Sequence, residues 1–95
     1  MLSEENSKLI HDLRARSHHL NPVVIVGDKG LSKPVMKEIS IALDAHELVK
    51  IRLNVGDRKE RNAMLRSICE KTRSIAVNQI GKIIVIYREI EEHTK

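Results

Sequence analysis

The stretch that most limits how this chain can fold is Asn21-Pro22-Val23-Val24-Ile25-Val26-Gly27-Asp28-Lys29-Gly30-Leu31-Ser32-Lys33-Pro34. Four β-branched residues, Val23 to Val26, predict a short buried strand. Gly27 and Gly30 then bracket two charged residues. Ser32 is a suitable helix N-cap, and Pro34 falls in the first turn, where a missing N–H costs little. The order is therefore strand, tight Gly-x-x-Gly loop, helix. Glycine allows backbone to approach a ligand closely, and a helix N-terminus offers free N–H groups with positive partial charge. That combination suits a phosphate, although two glycines also serve ordinary turn geometry.

The rest of the chain extends this unit. Ser3 is placed to cap a first helix carrying Glu4 and Glu5 in its opening turn. Leu9, Ile10, Leu13 and Leu20 give that helix an apolar stripe, and Pro22 with its preceding residue is expected to end it. A second helix is predicted from Lys33 to Ala45, with Val35, Ile39 and Leu43 on one face and Met36 and Ala42 beside them. Strand two, Leu48 to Val55, alternates: Val49, Ile51, Leu53 and Val55 point one way, Lys50, Arg52 and Asn54 the other. Asp57 and Glu60 have the spacing of a capping box for a third helix, Arg58 to Arg73. Ala63, Leu65, Ile68, Cys69 and Thr72 form its inner side. A weaker strand, Ser74 to Ile80, a Gly81-Lys82 turn and an apolar strand, Ile83 to Tyr87, make an antiparallel hairpin.

The predicted order is α-β-α-β-α-β-β. Crossover connections make strands one, two and three share a direction, with strand four opposed. The expected fold is α/β: a two-layer sandwich with a four-stranded mixed sheet and its helices on one face. Lys50 and Arg52 would lie on the open face. The loops holding all four glycines leave the carboxyl ends of the parallel strands, where α/β sheets commonly bind ligands. Lys29, Lys33, Arg58, Lys59, Arg61 and Lys82 sit in or beside these loops. Basic residues in the first turn of helix three oppose the helix dipole, which favours a functional reading of them.

Charge distribution supports an acidic partner. The 95 residues carry a formal net charge of +4. Residues 48–88 hold 10 Lys/Arg against 3 Asp/Glu, a net of +7, while residues 1–47 net −1 and residues 89–95 net −2. The length suits one domain, with residues 1–88 as its core and 89–95 as a short acidic tail. Cys69 is the single cysteine, so no disulfide forms within one chain, and a cytoplasmic location fits. Its helical spacing with Leu65, Ile68 and Thr72 reads as a small core residue. No signal peptide or membrane-length apolar run is expected.

Several blocks resemble a known family. They are Leu20-Asn21-Pro22-Val23-Val24, Gly27-Asp28-Lys29-Gly30-Leu31-Ser32, Glu38-Ile39, His46-Glu47-Leu48-Val49-Lys50-Ile51, Asp57-Arg58, Ile68-Cys69-Glu70-Lys71-Thr72, Gln79-Ile80-Gly81-Lys82 and Val85-Ile86-Tyr87-Arg88. In this order they resemble the CRM (chloroplast RNA splicing and ribosome maturation) domain, closest to bacterial single-domain YhbY-like proteins, over about Ser3 to Arg88. The resemblance implies an RNA-binding domain with a fold similar to the C-terminal domain of translation initiation factor three. It also implies association with precursors of the large ribosomal subunit and RNA contact through Gly27-Asp28-Lys29-Gly30. Two features depart from the pattern. Asp28 places a negative charge inside the loop, and the segment after Arg88 is acidic.

The expected function is thus binding of structured ribosomal RNA during large-subunit assembly, by a monomer, with candidate contacts at Gly27, Asp28, Lys29, Gly30, Lys33, Lys50, Arg52, Arg58, Lys59, Arg61 and Lys82. Tyr87 is the sole aromatic residue, so recognition is expected to rest on phosphate, ribose and shape rather than on an aromatic stacking platform. The alternative is a protein-interaction module docking on a ribosomal protein or assembly factor through the mixed charges of helix one. An enzyme is not expected. Adjacent His18 and His19 point apart, no catalytic triad stands out, and the glycine loop lacks the Gly-Lys-Ser/Thr ending of a P-loop. No cofactor, metal, small-molecule substrate or membrane partner is expected.

Overall fold

Hydrophobic periodicity sets the elements, and the ladder sets their neighbours. The computed structural model describes residues 4–90. It contains α1 (Glu4–Ser17), β1 (Val24–Val26), α2 (Lys33–His46), β2 (Leu48–Leu53), α3 (Arg58–Thr72), β3 (Ile75–Ile80) and β4 (Ile83–Tyr87). The expected Ser3 cap lies outside the described residues. The sheet order is β1-β2-β4-β3, with β1 parallel to β2 and β4 antiparallel to both neighbours. β1, β2 and β3 therefore run the same way, as the connections require.

One face of the sheet is covered by α2 and α3. Val24, Val26, Val49, Ile51, Leu53, Ile84 and Ile86 meet Ile39 and Leu43 of α2 and Leu65 and Ile68 of α3 in the main core. Ala63, expected on the inner side of α3, is exposed, and Met64 packs partly against the core instead.

The helices are not all on that face. Leu13 of α1 is fully buried against Leu48, Val77 and Val85, with Leu20 and Tyr87 packed alongside. Successive strand residues point to opposite faces, so Leu48 and Val85 project away from Val49, Ile84 and Ile86. α1 thus covers the second face at the end where β2 starts and β4 finishes. The physical reason is apolar surface on both sides of the strands there. The β4 run Ile83-Ile84-Val85-Ile86-Tyr87 has no polar alternation, the pattern of a strand buried twice. A bulge between Ala76 and Asn78 leaves Val77 out of the ladder. The Arg14 Nε donates to the freed Val77 carbonyl at 2.8 Å, tying α1 to the edge strand.

α1 also stops before the expected boundary at Pro22. It ends at Ser17, whose buried hydroxyl donates to the Arg14 carbonyl at 2.7 Å. The amides of His18, His19 and Leu20 then bond three residues back, a tightened final turn that returns the chain toward β1.

Past β4, Arg88 holds the helical layer to the sheet. Its guanidinium donates to the Thr72 carbonyl at 2.8 Å, to the Ser40 carbonyl at 3.3 Å and to the Asp44 carboxylate at 2.6 Å. These bonds tie the ends of α2 and α3 together on the side away from the glycine loops.

Candidate nucleic-acid interface

The carboxyl ends of the parallel strands are locked to one another. The Asn54 amide donates to the Val26 carbonyl at 2.8 Å, and the Leu53 amide to the Lys82 carbonyl at 2.7 Å. The three glycine-bearing turns consequently form one edge of the molecule.

At the β1–α2 connection, the Gly30 amide donates to the Gly27 carbonyl at 2.9 Å, closing a four-residue turn. Asp28 and Lys29 are its exposed corners. Gly30 has φ +62, a conformation an L side chain adopts only at a cost, and a Cβ built there or at Gly27 would meet nothing within 4 Å. Gly30 therefore serves the backbone, and the space outside it is open. Ser32 caps α2 by accepting from the Val35 amide at 3.4 Å, and its own amide donates to the Gly30 carbonyl. Pro34 has no amide hydrogen. Among the described residues, the amides of Asp28, Lys29, Leu31 and Lys33 make no intramolecular hydrogen bond. Such a run of free N–H groups at a helix start, with lysines at positions 29 and 33, is suited to an oxyanion. The Asp28 carboxylate neither caps the turn nor pairs with a cation among the described residues.

At the β2–α3 connection, the capping box forms as the spacing requires. Asp57 Oδ1 accepts from the Glu60 amide at 2.8 Å, and Glu60 Oε1 accepts from the Asp57 amide at 3.2 Å. Gly56 has φ +82, and a Cβ there would lie 2.9 Å from Glu60 Cβ, so bulk at this turn would push the cap apart. Arg58 and Lys59 project from the first turn of α3 and are exposed.

Arg61 has a different job from its neighbours. Its Nε donates to the Gly81 carbonyl at 3.1 Å and its Nη1 to the Gly56 carbonyl at 2.6 Å. It joins the β2–α3 turn to the β3–β4 turn and is half-buried in doing so. Between these turns is a cleft of about 360 Å³ lined by Arg58, Arg61, Asn62, Gln79 and Gly81.

The structure brings Lys29, Lys33, Arg58, Lys59, Arg61 and Lys82 to this edge with Gly27, Asp28 and Gly30. Arg52 is exposed one strand position below it, on the α1 side, with its Nε donating to Asn54 Oδ1 at 3.1 Å. Lys50 is a different case. It is half-buried in mid-strand on the face α1 partly covers, opposite Val85, and is not part of the edge. Two further features escape the sequence reading. Lys59 and Arg66, seven residues apart, share one side of α3 and are exposed, and Arg73, the left-handed residue that caps the helix, is exposed just beyond its end. Asn62 and Gln79 share the cleft although 17 positions apart, a proximity that no local pattern reports.

Elsewhere, burial pushes the Cys69 thiol up, with a hydrogen bond to Ser74 acting in the opposite direction. A thiol kept protonated is a poor nucleophile, in keeping with a packing role. Tyr87 lies in the second cluster at the opposite end of the sheet, where burial and the charges of Glu47 and Glu89 push its phenol up despite Arg16. No helix among the described residues is long and apolar enough to cross a membrane.

Residues 6–88 match the model of the CRS1 / YhbY (CRM) domain. The chain belongs to the CRM family. It is 39% identical over 88 residues to a protein of Pseudomonas aeruginosa named "Probable RNA-binding protein", covering 93% of this chain and 82% of that one. It is 41% identical over 80 residues to a Haemophilus influenzae protein named "RNA-binding protein", covering 84% and 81%. The solution structure of a hypothetical protein from Staphylococcus aureus superposes with a TM-score of 0.82 at 31% identity, covering 99% of this chain and 95% of that one. The CRM match runs from within α1 through β4 and includes all three glycine-bearing turns.

Proposed function

We propose that this CRM-family chain binds structured RNA through the glycine edge, and that its target is ribosomal RNA in precursors of the large subunit. The observation that carries the reading is the set of free amides at Asp28, Lys29, Leu31 and Lys33, in the β1–α2 turn and at the start of α2, with lysine side chains at positions 29 and 33. It continues across the edge into Arg58, Lys59 and Lys82. Phosphate oxygens satisfy such donors without regard to sequence, while the rigid edge reads the shape of the backbone presented to it. The relatives named as RNA-binding proteins support the RNA half of the reading. The ribosomal half follows from the family resemblance.

The test is ultraviolet cross-linking in cells, with cross-linked peptides and nucleotides both sequenced. The reading expects peptides containing residues 27–33 or 58–61 joined to large-subunit ribosomal RNA sequences. Cross-links to messenger RNA alone would remove the ribosomal target. Protein adducts on the exposed side of α1, with no RNA adducts, would replace RNA binding by protein docking.

A further inference from the structure

We infer that the cleft beside Arg61 receives one unpaired nucleotide of the bound RNA and reads its base edge through the carboxamides of Asn62 and Gln79. This rests on the RNA-binding reading above and adds base selectivity to it.

The cleft lies between the first two turns of α3 and the end of β3. Its volume, about 360 Å³, falls at the small end of the roughly 300–1,000 Å³ range of ligand pockets. That is room for a single nucleotide. All four lining side chains are polar, two are cationic and none is a carboxylate, so the site favours a ligand with negative charge.

Arg61 is preorganised. Carbonyls from two different turns fix its Nε and Nη1, and Nη2 donates to no group among the described residues. An ordered guanidinium loses little further freedom when it binds phosphate or a base edge. Asn62 and Gln79 are both half-buried, and neither carboxamide makes a hydrogen bond among the described residues. Each offers a donor and an acceptor side by side. A phosphate alone would use only donors. A nucleotide matches this set, because its base edge carries donors and acceptors side by side and its phosphate pairs with a cation. The cleft holds no aromatic residue, so the base is read at its edge, beside the fixed Arg61 guanidinium. Base reading in this cleft adds to the recognition by phosphate, ribose and shape expected from the sequence.

The experiment uses the full chain labelled with ¹⁵N, titrated separately with AMP, GMP, CMP, UMP and inorganic phosphate. The side-chain NH₂ signals of Asn62 and Gln79 and the Nε–H of Arg61 are followed. We expect at least one nucleotide to shift all three saturably, while phosphate leaves the two carboxamides unmoved. In parallel, four RNA hairpins differing only in one bulged base are titrated. The N62A/Q79A double variant should weaken binding of the preferred hairpin about tenfold, the size of one or two lost hydrogen bonds, and leave the salt dependence unchanged. If the hairpins bind with steep salt dependence but indifferently to the bulged base, and the carboxamide signals stay fixed, the cleft proposal fails and the RNA edge stands. If no hairpin binds the wild-type chain at low salt, the RNA reading itself fails.

Discussion

Replacing Gly30 separates backbone conformation from ligand contact at the loop. Gly30 holds φ +62 with open space where a side chain would project, so the cost of a substitution is conformational and not steric. An L residue in this region costs about 1–2 kcal/mol, and a β-branched one sits at the upper end. For a domain of this size, 1 kcal/mol moves the melting temperature by roughly 4–8 °C, so Gly30→Val should lower it by about 5–15 °C. Gly30→Asn, which tolerates left-handed backbone, should lower it less. The assay is thermal and urea unfolding beside RNA titration on the same samples. Because the free amides of Lys29 and Leu31 flank this position, valine should also weaken binding per folded molecule by hindering phosphate approach. An unchanged melting temperature in Gly30→Val would refute the conformational argument. Normal affinity per folded molecule would refute the phosphate cradle and move the RNA site elsewhere.

Arg61→Ala removes both bonds that join the two turns, and water replaces part of them, so a loss of about 1–2 kcal/mol is expected in urea unfolding. Arg61→Lys keeps the charge but loses the fork and should recover less than half of that stability. Leu13→Ala should cost about 2–5 kcal/mol by calorimetry, because Leu13 is fully buried beneath α1 on the second face. A loss under 1 kcal/mol would mean that α1 does not pack there.

Much of the fold is legible in the sequence because its signals are local. The Val24–Val26 strand, the Ser32 cap, the Asp57–Glu60 box and the Gly81-Lys82 hairpin each depend on residues within a few positions of one another. The placement of α1 departs from the expected single helical layer, although the unbroken apolar run from Ile83 to Tyr87 already requires cover on both faces. The end of α1 depends on a side-chain bond by Ser17 and on packing of Leu20, neither of which a proline rule detects. At the candidate site, the edge follows from topology, since parallel strands must end together. Arg61 falls in with Arg58 and Lys59 on sequence because composition does not distinguish a charge facing solvent from one bound to two carbonyls. Lys50 alternates onto a face expected to be open, which α1 partly covers. The cleft needs residues 62 and 79 brought together by the packing of α3 on β3, a tertiary contact that no stretch of sequence encodes locally.

The most direct test of the RNA edge is the salt dependence of binding to a structured ribosomal RNA fragment, wild type against Lys29→Ala plus Arg58→Ala. Both side chains are exposed and make no hydrogen bond or ion pair among the described residues, so the fold should be unaffected. Each phosphate contact contributes about 0.7–0.9 to the slope of log K against log salt. The double variant should bind more weakly and flatten the slope by roughly 1.4–1.8, with an unchanged urea midpoint. Equal affinity and equal slope in the two proteins would contradict the account.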